Sequence, residues 1–530
     1  MPVVSNFRTN LIRIALGASA GLLAGLAALA VAELVAGLVR PAAGPVTVVG
    51  GAVIDRTPAA VKDFAIRTFG EDDKTVLQSG ILVVLGLIAA GLGVLGLRHR
   101  RAGSCGVLAF GVVGAAAALN RPDSRGVGDI LPSLSGAMAG ALVLYVLVGR
   151  LSRASRAATT GDDADDGGWN RRGFLVAAGV TAAGATSAGL LGRYLTGRQS
   201  RGAVASRQGL VLPAPASPAP PVPRGAQLKV PGITPFTTPN RDFYRVDTAL
   251  VVPRIDAGSW RLRIHGKGVS RPRTFTLADL LARPLIERDI TLTCVSNEVG
   301  GPYAGNARWL GVRLPDLLAE CGVKPPSAGG RADQLVARSV DGMTLGSPVE
   351  DVMDGRDALL AVGMNGEPLP FDHGFPVRMV VPGLYGYVSA CKWIEDIELT
   401  TFDAYDPYWV KRKWARRAPI KTQSRIDTPK PFARPTAGTV TVAGVAWAQH
   451  RGITRVQVRV DDGPWQDAEL AAQDTLDTWR QWSYRWQATP GGHTLTVRAT
   501  DGTGQVQTEQ RARTIPDGAS GWHSVFVTAS

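Results

Sequence analysis

The chain is 530 residues long, too long for one ordinary domain, so about two to four folded units are expected. Its net charge of +14 comes from scattered basic residues, which excludes the focused cationic footprint of a nucleic-acid-binding protein. The four cysteines, Cys105, Cys294, Cys321 and Cys391, are widely spaced, excluding both a disulfide framework and a CxxC zinc pattern.

Up to about residue 195 the chain is rich in Ala, Gly, Leu and Val, with five apolar segments at 14–39, 76–97, 105–119, 130–148 and 173–191. The first, second and fourth approach or exceed the roughly 20 residues that a spanning helix needs; the third is short. Arg8 and Arg13 precede the first segment, Arg98, His99, Arg100 and Arg101 lie between the second and third, and Arg150, Arg153 and Arg156 follow the fourth. If the first four segments span, these basic residues share one side, which the positive-inside rule makes cytoplasmic. The connection 40–74, mixed in charge, then lies outside. Glu33 sits inside the first segment near its outer end, and an acid there is a candidate functional group without an assigned role.

The fifth segment follows an acidic linker containing Asp162, Asp163, Asp165 and Asp166, and reads WNRRGFLVAAGVTAAGATSAGLLGRYL. Its Arg171-Arg172-Gly173-Phe174-Leu175 opening and mildly apolar continuation resemble a twin-arginine export signal. Four preceding spans leave the arginine pair in the cytoplasm, where export machinery reads such signals, and put everything beyond about Arg193 outside. Ala203-Val204-Ala205 offers a cleavage site, although retention as an anchor is the preferred reading. Residues 198–224, including LPAPASPAPPVPRG, read as an extended Pro-rich tether. The expected organisation is a membrane region at 1–195, a linker at 196–233, an α+β domain at 234–428 and an all-β immunoglobulin-like sandwich at 429–530.

Within the α+β region, strands are expected at 260–265, 289–295, 378–381 and 394–400. Thr276 is placed to cap a short helix with Asp279 at its third position, and Pro315 starts another helix at 314–321. From about residue 434 the runs 439–448, 453–460, 482–488 and 493–499 alternate apolar and polar residues. Asp-Gly, Pro-Gly and Gly-Pro turns separate them, which is the sandwich pattern without its usual cysteine pair.

A lone cysteine on a strand is ordinarily a small buried hydrophobe, and Cys105 and Cys321 are read so. Cys294 stands apart because it closes the alternating run TLTC and opens the polar turn SNEVGG. TLTCVSN, followed by GNARWLGVRLPDLL with Asn306, Ala307, Arg308 and Trp309, resembles the sulfite oxidase family of molybdopterin enzymes. PNRDFYRVDTALVVP, DHGFPVRMVVPGLYGYVSACKW, and the terminal AGVAWA and GWHSVFV resemble further segments of that family in the same order.

The resemblance implies a Mo-molybdopterin cofactor with Cys294 as the thiolate ligand of molybdenum, a soft donor for a high-valent metal. It places Tyr244, Arg245, Asp247 and Thr248 beside the cofactor, with Tyr244 and Arg245 reaching either the metal's oxo ligands or only the pterin. Asn297 falls at the family's asparagine, and Ser339 or Asp341 at a further polar contact. His373, Arg378 and the loop Ser389, Ala390, Cys391 and Lys392 are implied cofactor contacts. Arg378 and Lys392 are the candidates for the pterin phosphate, since a buried dianion needs Arg and Lys donors. The same likeness implies a homodimer formed through the C-terminal sandwich.

The family pattern is not complete. Sulfite oxidases proper follow the ligand cysteine with Ala-Gly-Asn-Arg-Arg, whereas here Val295, Ser296, Asn297 and Glu298 follow it, and an acid repels sulfite. In DGMTLGSPV, Met343 and Thr344 stand where the family has its active-site tyrosine. With no haem-attachment CxxCH, a separate electron partner is expected, a cytochrome or a quinone-linked membrane protein. The expected function is a membrane-anchored, outward-facing oxidoreductase transferring oxygen to or from a small oxyanion or S-oxide. The alternatives are a reductase of S-oxides, including methionine sulfoxide, and a non-catalytic membrane module.

Overall fold

In the computed structural model, residues 2–58, 61, 68, 73–157 and 171–530 are described. The chain divides into two units, Met1–Gly202 with Ala249–Val252, and Ala203–Thr248 with Pro253–Ser530.

The apolar runs of the first unit become helices α1 (Pro2–Val39), α3 (Asp73–Arg98), α4 (Arg100–Leu119), α5 (Leu131–Ala157) and α6 (Arg171–Gln208), with a shorter α2 (Pro45–Arg56) after α1. Among the described residues five helices are long and apolar enough to cross a membrane. Small residues set their spacing: a Cβ on Gly21 would overlap the Ala89 carbonyl, and one on Gly93 would overlap the Gly17 carbonyl. Backbones of α1 and α3 thus approach closely, as small-residue helix pairs do. Val83, Leu87, Val112, Leu142 and Leu175 point outward, exposed. Arg40, just beyond α1, pairs with Asp123 at 2.9 Å and Asp129 at 2.6 Å.

Two helix ends differ from the expectation. Only His99 separates α3 from α4, so Arg98, Arg100 and Arg101 sit on helix ends rather than in a loop. Helix α6 runs 17 residues past Leu191, to Gln208, because Arg, Gln, Leu and Ala continue a helix after apolarity ends. The acidic residues Asp162, Asp163, Asp165 and Asp166, with Trp169 and Asn170, lie outside the described residues.

The Pro-rich stretch does not run free. Leu210, Leu212 and Val222 pack on the core of the second unit, and Ala216 N–H donates to Leu285 O at 2.8 Å. These apolar side chains between the prolines are what seat it.

The central region is built from β1 (Arg261–Gly266), β2 (Arg273–Thr276), β3 (Ile286–Thr293), β4 (Ala304–Arg313), β5 (Gln334–Ser339), β6 (Thr344–Pro348), β7 (Leu359–Met364), β8 (Glu367–Pro368), β9 (Arg378–Val380) and β10 (Ile394–Thr400). One sheet has the order β2-β1-β10-β5-β6, with β1 and β10 parallel; the other is β3-β4-β7-β8, with β9 on β7. Strand β3 begins three residues before its expected start and ends at Thr293, leaving Cys294 just outside the ladder. The Thr276 capping box forms as its sequence requires.

The sandwich comprises β11 (Gln423–Thr428), β12 (Gly438–Trp447), β13 (Ile453–Val460), β14 (Gln466–Asp467), β15 (Glu469–Leu470), β16 (Arg480–Ala488), β17 (Gly491–Asp501) and β18 (His523–Ala529). Sheets β11-β12-β16-β15 and β14-β13-β17-β18 enclose Ile426, Val442, Trp482, Val497 and Val527. It therefore starts at Gln423, six residues ahead of 429, because β11 pairs with β12. The sandwich is stitched to β3. Thr291 N–H donates to Asp477 O at 2.9 Å, Trp479 N–H donates to Thr291 Oγ1 at 2.7 Å, and Gln449 Nε2 donates to Thr291 O and Thr293 Oγ1.

Candidate active site around Cys294

Strand β3 delivers Cys294 to a tight turn. The thiol is 8% exposed. Cys294 N–H donates to Tyr303 O, Asn297 N–H returns to Cys294 O, and Ser296 N–H donates to Sγ at 3.4 Å. Burial pushes the thiol's pKa up, opposed by the Ser296 hydrogen bonds and the nearby Lys392 charge. An electropositive metal is what would hold such a group deprotonated. Asn297 Oδ1 accepts from Tyr303 N–H at 2.8 Å, so this side chain holds the turn's shape.

Tyr244 lies within electrostatic reach of both Cys294 and Arg378. Burial first, and then the Cys294 thiolate, raises its pKa, while Arg378 lowers it. Its ring stacks on Phe243, which meets Trp309 and His373 edge-on at 5.8 and 5.5 Å. Trp309, fully buried on β4 and anchored by Nε1 to Ile290 O, is the floor beneath Arg378, whose guanidinium stands 4.9 Å from the ring centre. Arg308 and Asn306 face elsewhere: Arg308 binds Asp289, and Asn306 binds Thr291 and Phe236 O.

Arg378, 5% exposed at the start of β9, donates from Nη1 to His373 O at 3.2 Å, and its Nε has no partner among the described residues. Desolvation lowers its pKa to about 10, so it stays charged at neutral pH. His373 binds Asn240 O through Nε2 at 2.9 Å. Burial, with Arg378 and Lys392 close by, lowers its pKa to about 4, leaving a neutral ring. Gly374 takes φ +107°, and a Cβ there would meet Arg378 Cβ and Lys392 Cα at 3.1 Å, so glycine suits this close approach of the 374 turn to the segments carrying Arg378 and Lys392.

Lys392 Nζ binds Asp247 Oδ2 at 2.8 Å and Asp372 O at 3.0 Å. Arg245 reaches Asp372 at 2.9 Å and Asp247 at 3.7 Å. Thr248 Oγ1 donates to Asp341 Oδ2 at 3.4 Å, and Asp341, raised by burial, lies against Ser339. The 244–248 segment, Asp341 and Lys392 are therefore one cluster. Ser389 is used differently: fully buried, its hydroxyl donates to Leu384 O and Tyr385 O. Ala390 is half-buried and Cys391 buried, its thiol pushed up by desolvation. Glu298 is exposed at the turn, so its charge is largely screened.

Tyr385 was not singled out in the sequence. It is buried, its pKa raised by desolvation and, among lesser causes, by Cys294. Its Oη accepts from Lys421 N–H at 3.5 Å. The aromatic density of GLYGYVSACKW was the available signal, but periodicity cannot rank one tyrosine above another.

A buried thiol outside any disulfide, a neutral imidazole and a buried guanidinium with an unpartnered Nε fit a metal–pterin group that carries a phosphate. The class agrees with this donor set. Residues 249–409 match the oxidoreductase molybdopterin-binding domain, and 423–497 the bacterial Ig domain. Mouse mitochondrial sulfite oxidase (Mus musculus) is 31% identical over 340 residues, covering 55% of this chain and 61% of that protein. Chicken sulfite oxidase (Gallus gallus) is 32% identical over 296 residues, 48% and 63%. Rice nitrate reductase [NADH] 1 (Oryza sativa subsp. japonica) is 33% identical over 183 residues, 30% and 20%. Among solved structures, the sulfane dehydrogenase SoxCD from Paracoccus pantotrophus shares 27% identity, with 55% and 81% covered and a TM-score of 0.48. The chain thus carries an oxidoreductase molybdopterin-binding domain and is similar to the sulfite oxidases, and the cofactor that this domain implies is molybdopterin. It spans less than two thirds of the length of the curated relatives it matches.

Proposed function

We propose that the chain is a membrane-anchored molybdopterin-dependent oxidoreductase whose site faces the extracytoplasmic side and exchanges electrons with a separate carrier. The observation that carries this reading is Arg378: a buried cation with an unpartnered Nε, within reach of Tyr244, which itself neighbours Cys294. Cys294 would bind the metal, and Arg378 and Lys392 would hold the phosphate. His373, neutral and donating from Nε2 to Asn240 O, would accept at the pterin through Nδ1. When bound, the group supplies two-electron redox chemistry coupled to oxygen-atom transfer. For an oxidation, water gives the oxygen, and two protons and two electrons are released. Tyr244, protonated at any ordinary pH, can donate to a substrate oxygen, and the aromatic wall of Phe243 and Trp309 excludes water from that side. The five apolar helices and the arginine pair at the start of α6 support anchoring and export. A homodimer through the sandwich is proposed on the same family likeness.

Reduction of an S-oxide is the second reading. The turn Ser296–Gly301 carries one charged side chain, the acid Glu298, and so supplies no cation for a dianionic substrate. The test is molybdenum and pterin content of the purified full chain beside Cys294→Ser. Near one metal per chain, lost or altered in the variant, is the expected result; a metal-free wild type from a host that makes and exports the cofactor overturns it. Reoxidation of the reduced protein by methionine sulfoxide, but not its reduction by sulfite, would select the second reading.

A further inference from the structure

We propose that residues 405–417 are the docking surface for an acidic one-electron carrier protein. The proposal rests on the oxidoreductase reading and names where its electrons leave. The segment YDPYWVKRKWARR holds five basic residues against one acid. Lys411 lies over Tyr405 at 5.1 Å, Arg412 over Tyr408 at 3.5 Å and Arg417 over Phe402 at 5.4 Å. Arg416 is bound by Asp403 and Asp406. Lys411 and Lys413 are exposed, and neither is ion-paired among the described residues. Lys413 takes φ +68°, a left-handed conformation that glycine adopts more readily. A charged side chain there comes at some local strain.

Beneath the cations, aromatic rings lead inward. Tyr408 meets Trp409 at 5.1 Å, Trp409 meets Trp414 at 5.5 Å, and Trp414 meets Tyr387 at 5.4 Å. Tyr387 Oη donates to Ala415 O at 2.7 Å, fixing this contact. Tyr387 lies within electrostatic reach of the buried Tyr385, and Tyr385 within electrostatic reach of Cys294. A cationic surface thus overlies a run of four touching rings, Tyr408, Trp409, Trp414 and Tyr387, whose inner end points into the region of the candidate metal ligand. Per turnover of an oxidation, the site loses two electrons, two carrier molecules each gain one, and the two protons from water pass to solvent. An acidic carrier would be drawn and oriented by these cations. Cationic heads, not large exposed apolar side chains, form the outer layer, which favours a protein over insertion into a bilayer.

The test uses the full chain in nanodiscs of zwitterionic lipid, labelled with 5-fluorotryptophan, and hexacyanochromate(III) as a redox-inert paramagnetic trianion. Selective broadening of the Trp409 and Trp414 fluorine signals, suppressed by added salt, is expected. Lys411→Glu with Lys413→Glu should weaken that binding roughly tenfold. Lys413→Gly should weaken it while leaving thermal stability equal or higher, which a merely structural lysine would not do. Even broadening of all surface tryptophans, or binding unchanged in the charge-reversed variant, overturns the proposal. So does a shift of these signals on anionic-lipid nanodiscs without the probe, which would assign the surface to the membrane. On metal-loaded, reduced protein, hexacyanoferrate(III) should be reduced faster than hexaammineruthenium(III), and the charge reversal should erase that preference. Absence of molybdenum sinks the oxidoreductase reading itself, whereas metal with no charge preference sinks only the docking surface.

Discussion

Arg451 in the sandwich and Arg378 in the central region both lie among buried groups, and they differ in how their donors are used. Arg451 binds Asp501 at 2.9 Å, Ile420 O at 2.9 Å and Thr422 Oγ1 at 3.3 Å. Burial alone would raise Asp501, but hydrogen bonds from Thr503, Arg451 and Thr422 outweigh it and hold its pKa at about 2. Arg378 donates to His373 O, has an Nε without a partner among the described residues, and has a depressed pKa. A satisfied buried charge belongs to the architecture. An unsatisfied one is, on the reading proposed above, where an anionic ligand would complete the structure.

The largest effect is expected from Arg451→Met, which strands the fully buried Asp501 carboxylate. Chemical denaturation should show a loss of about 3 kcal/mol; a loss near zero would erase the contrast with Arg378. Next comes acid stability, since each region contains one histidine whose folded pKa is depressed. His373 and His523 are both lowered to about 4, first by burial and then by nearby arginine charge. Such a histidine contributes its full stability above its unfolded pKa near 6.5, and that contribution is lost as pH falls from 6.5 towards 4. Each should contribute up to about 3 kcal/mol of pH-dependent stability. His373→Gln and His523→Gln should each remove part of the slope in metal-free protein, measured by denaturant titration across that window.

Arg378→Met should move metal-free stability by no more than about 1 kcal/mol, since no carboxylate depends on it, while pterin retained through purification falls sharply. Equal pterin content in this variant would break the comparison from the other side. The smallest effect is expected for Glu298→Gln. Because the acid is exposed, turnover of an anionic substrate should rise less than about threefold, and less still at high salt.

Cys294 was legible because a strand-like run stopped at a polar turn, and the motif that follows it carried the class. Trp309 was visible within NARW, but its use as the floor under Arg378 depends on β4 and β9 meeting on either side of β7, a pairing that no local pattern encodes. The same holds for the start of the sandwich: β11 is a strand because Gln423 faces Trp447, 24 positions away. Hydropathy marked the apolar part of α6 and was blind to its polar continuation. Ser389 and Asn297 were expected at the site by resemblance, yet Ser389 Oγ and Asn297 Oδ1 are occupied by backbone at 2.8–3.1 Å, a distinction that needs coordinates.

The bonds from Gln449, Asp477 and Trp479 to Thr291 and Thr293 set an order of events during synthesis. The strand that leads into Cys294 leaves the ribosome long before the residues that brace it. A nascent chain halted before Trp479 holds the thiol on an unbraced strand. The brace on this strand is therefore complete only once residues through Trp479 have been translated, so the turn at Cys294 takes its final setting late in synthesis.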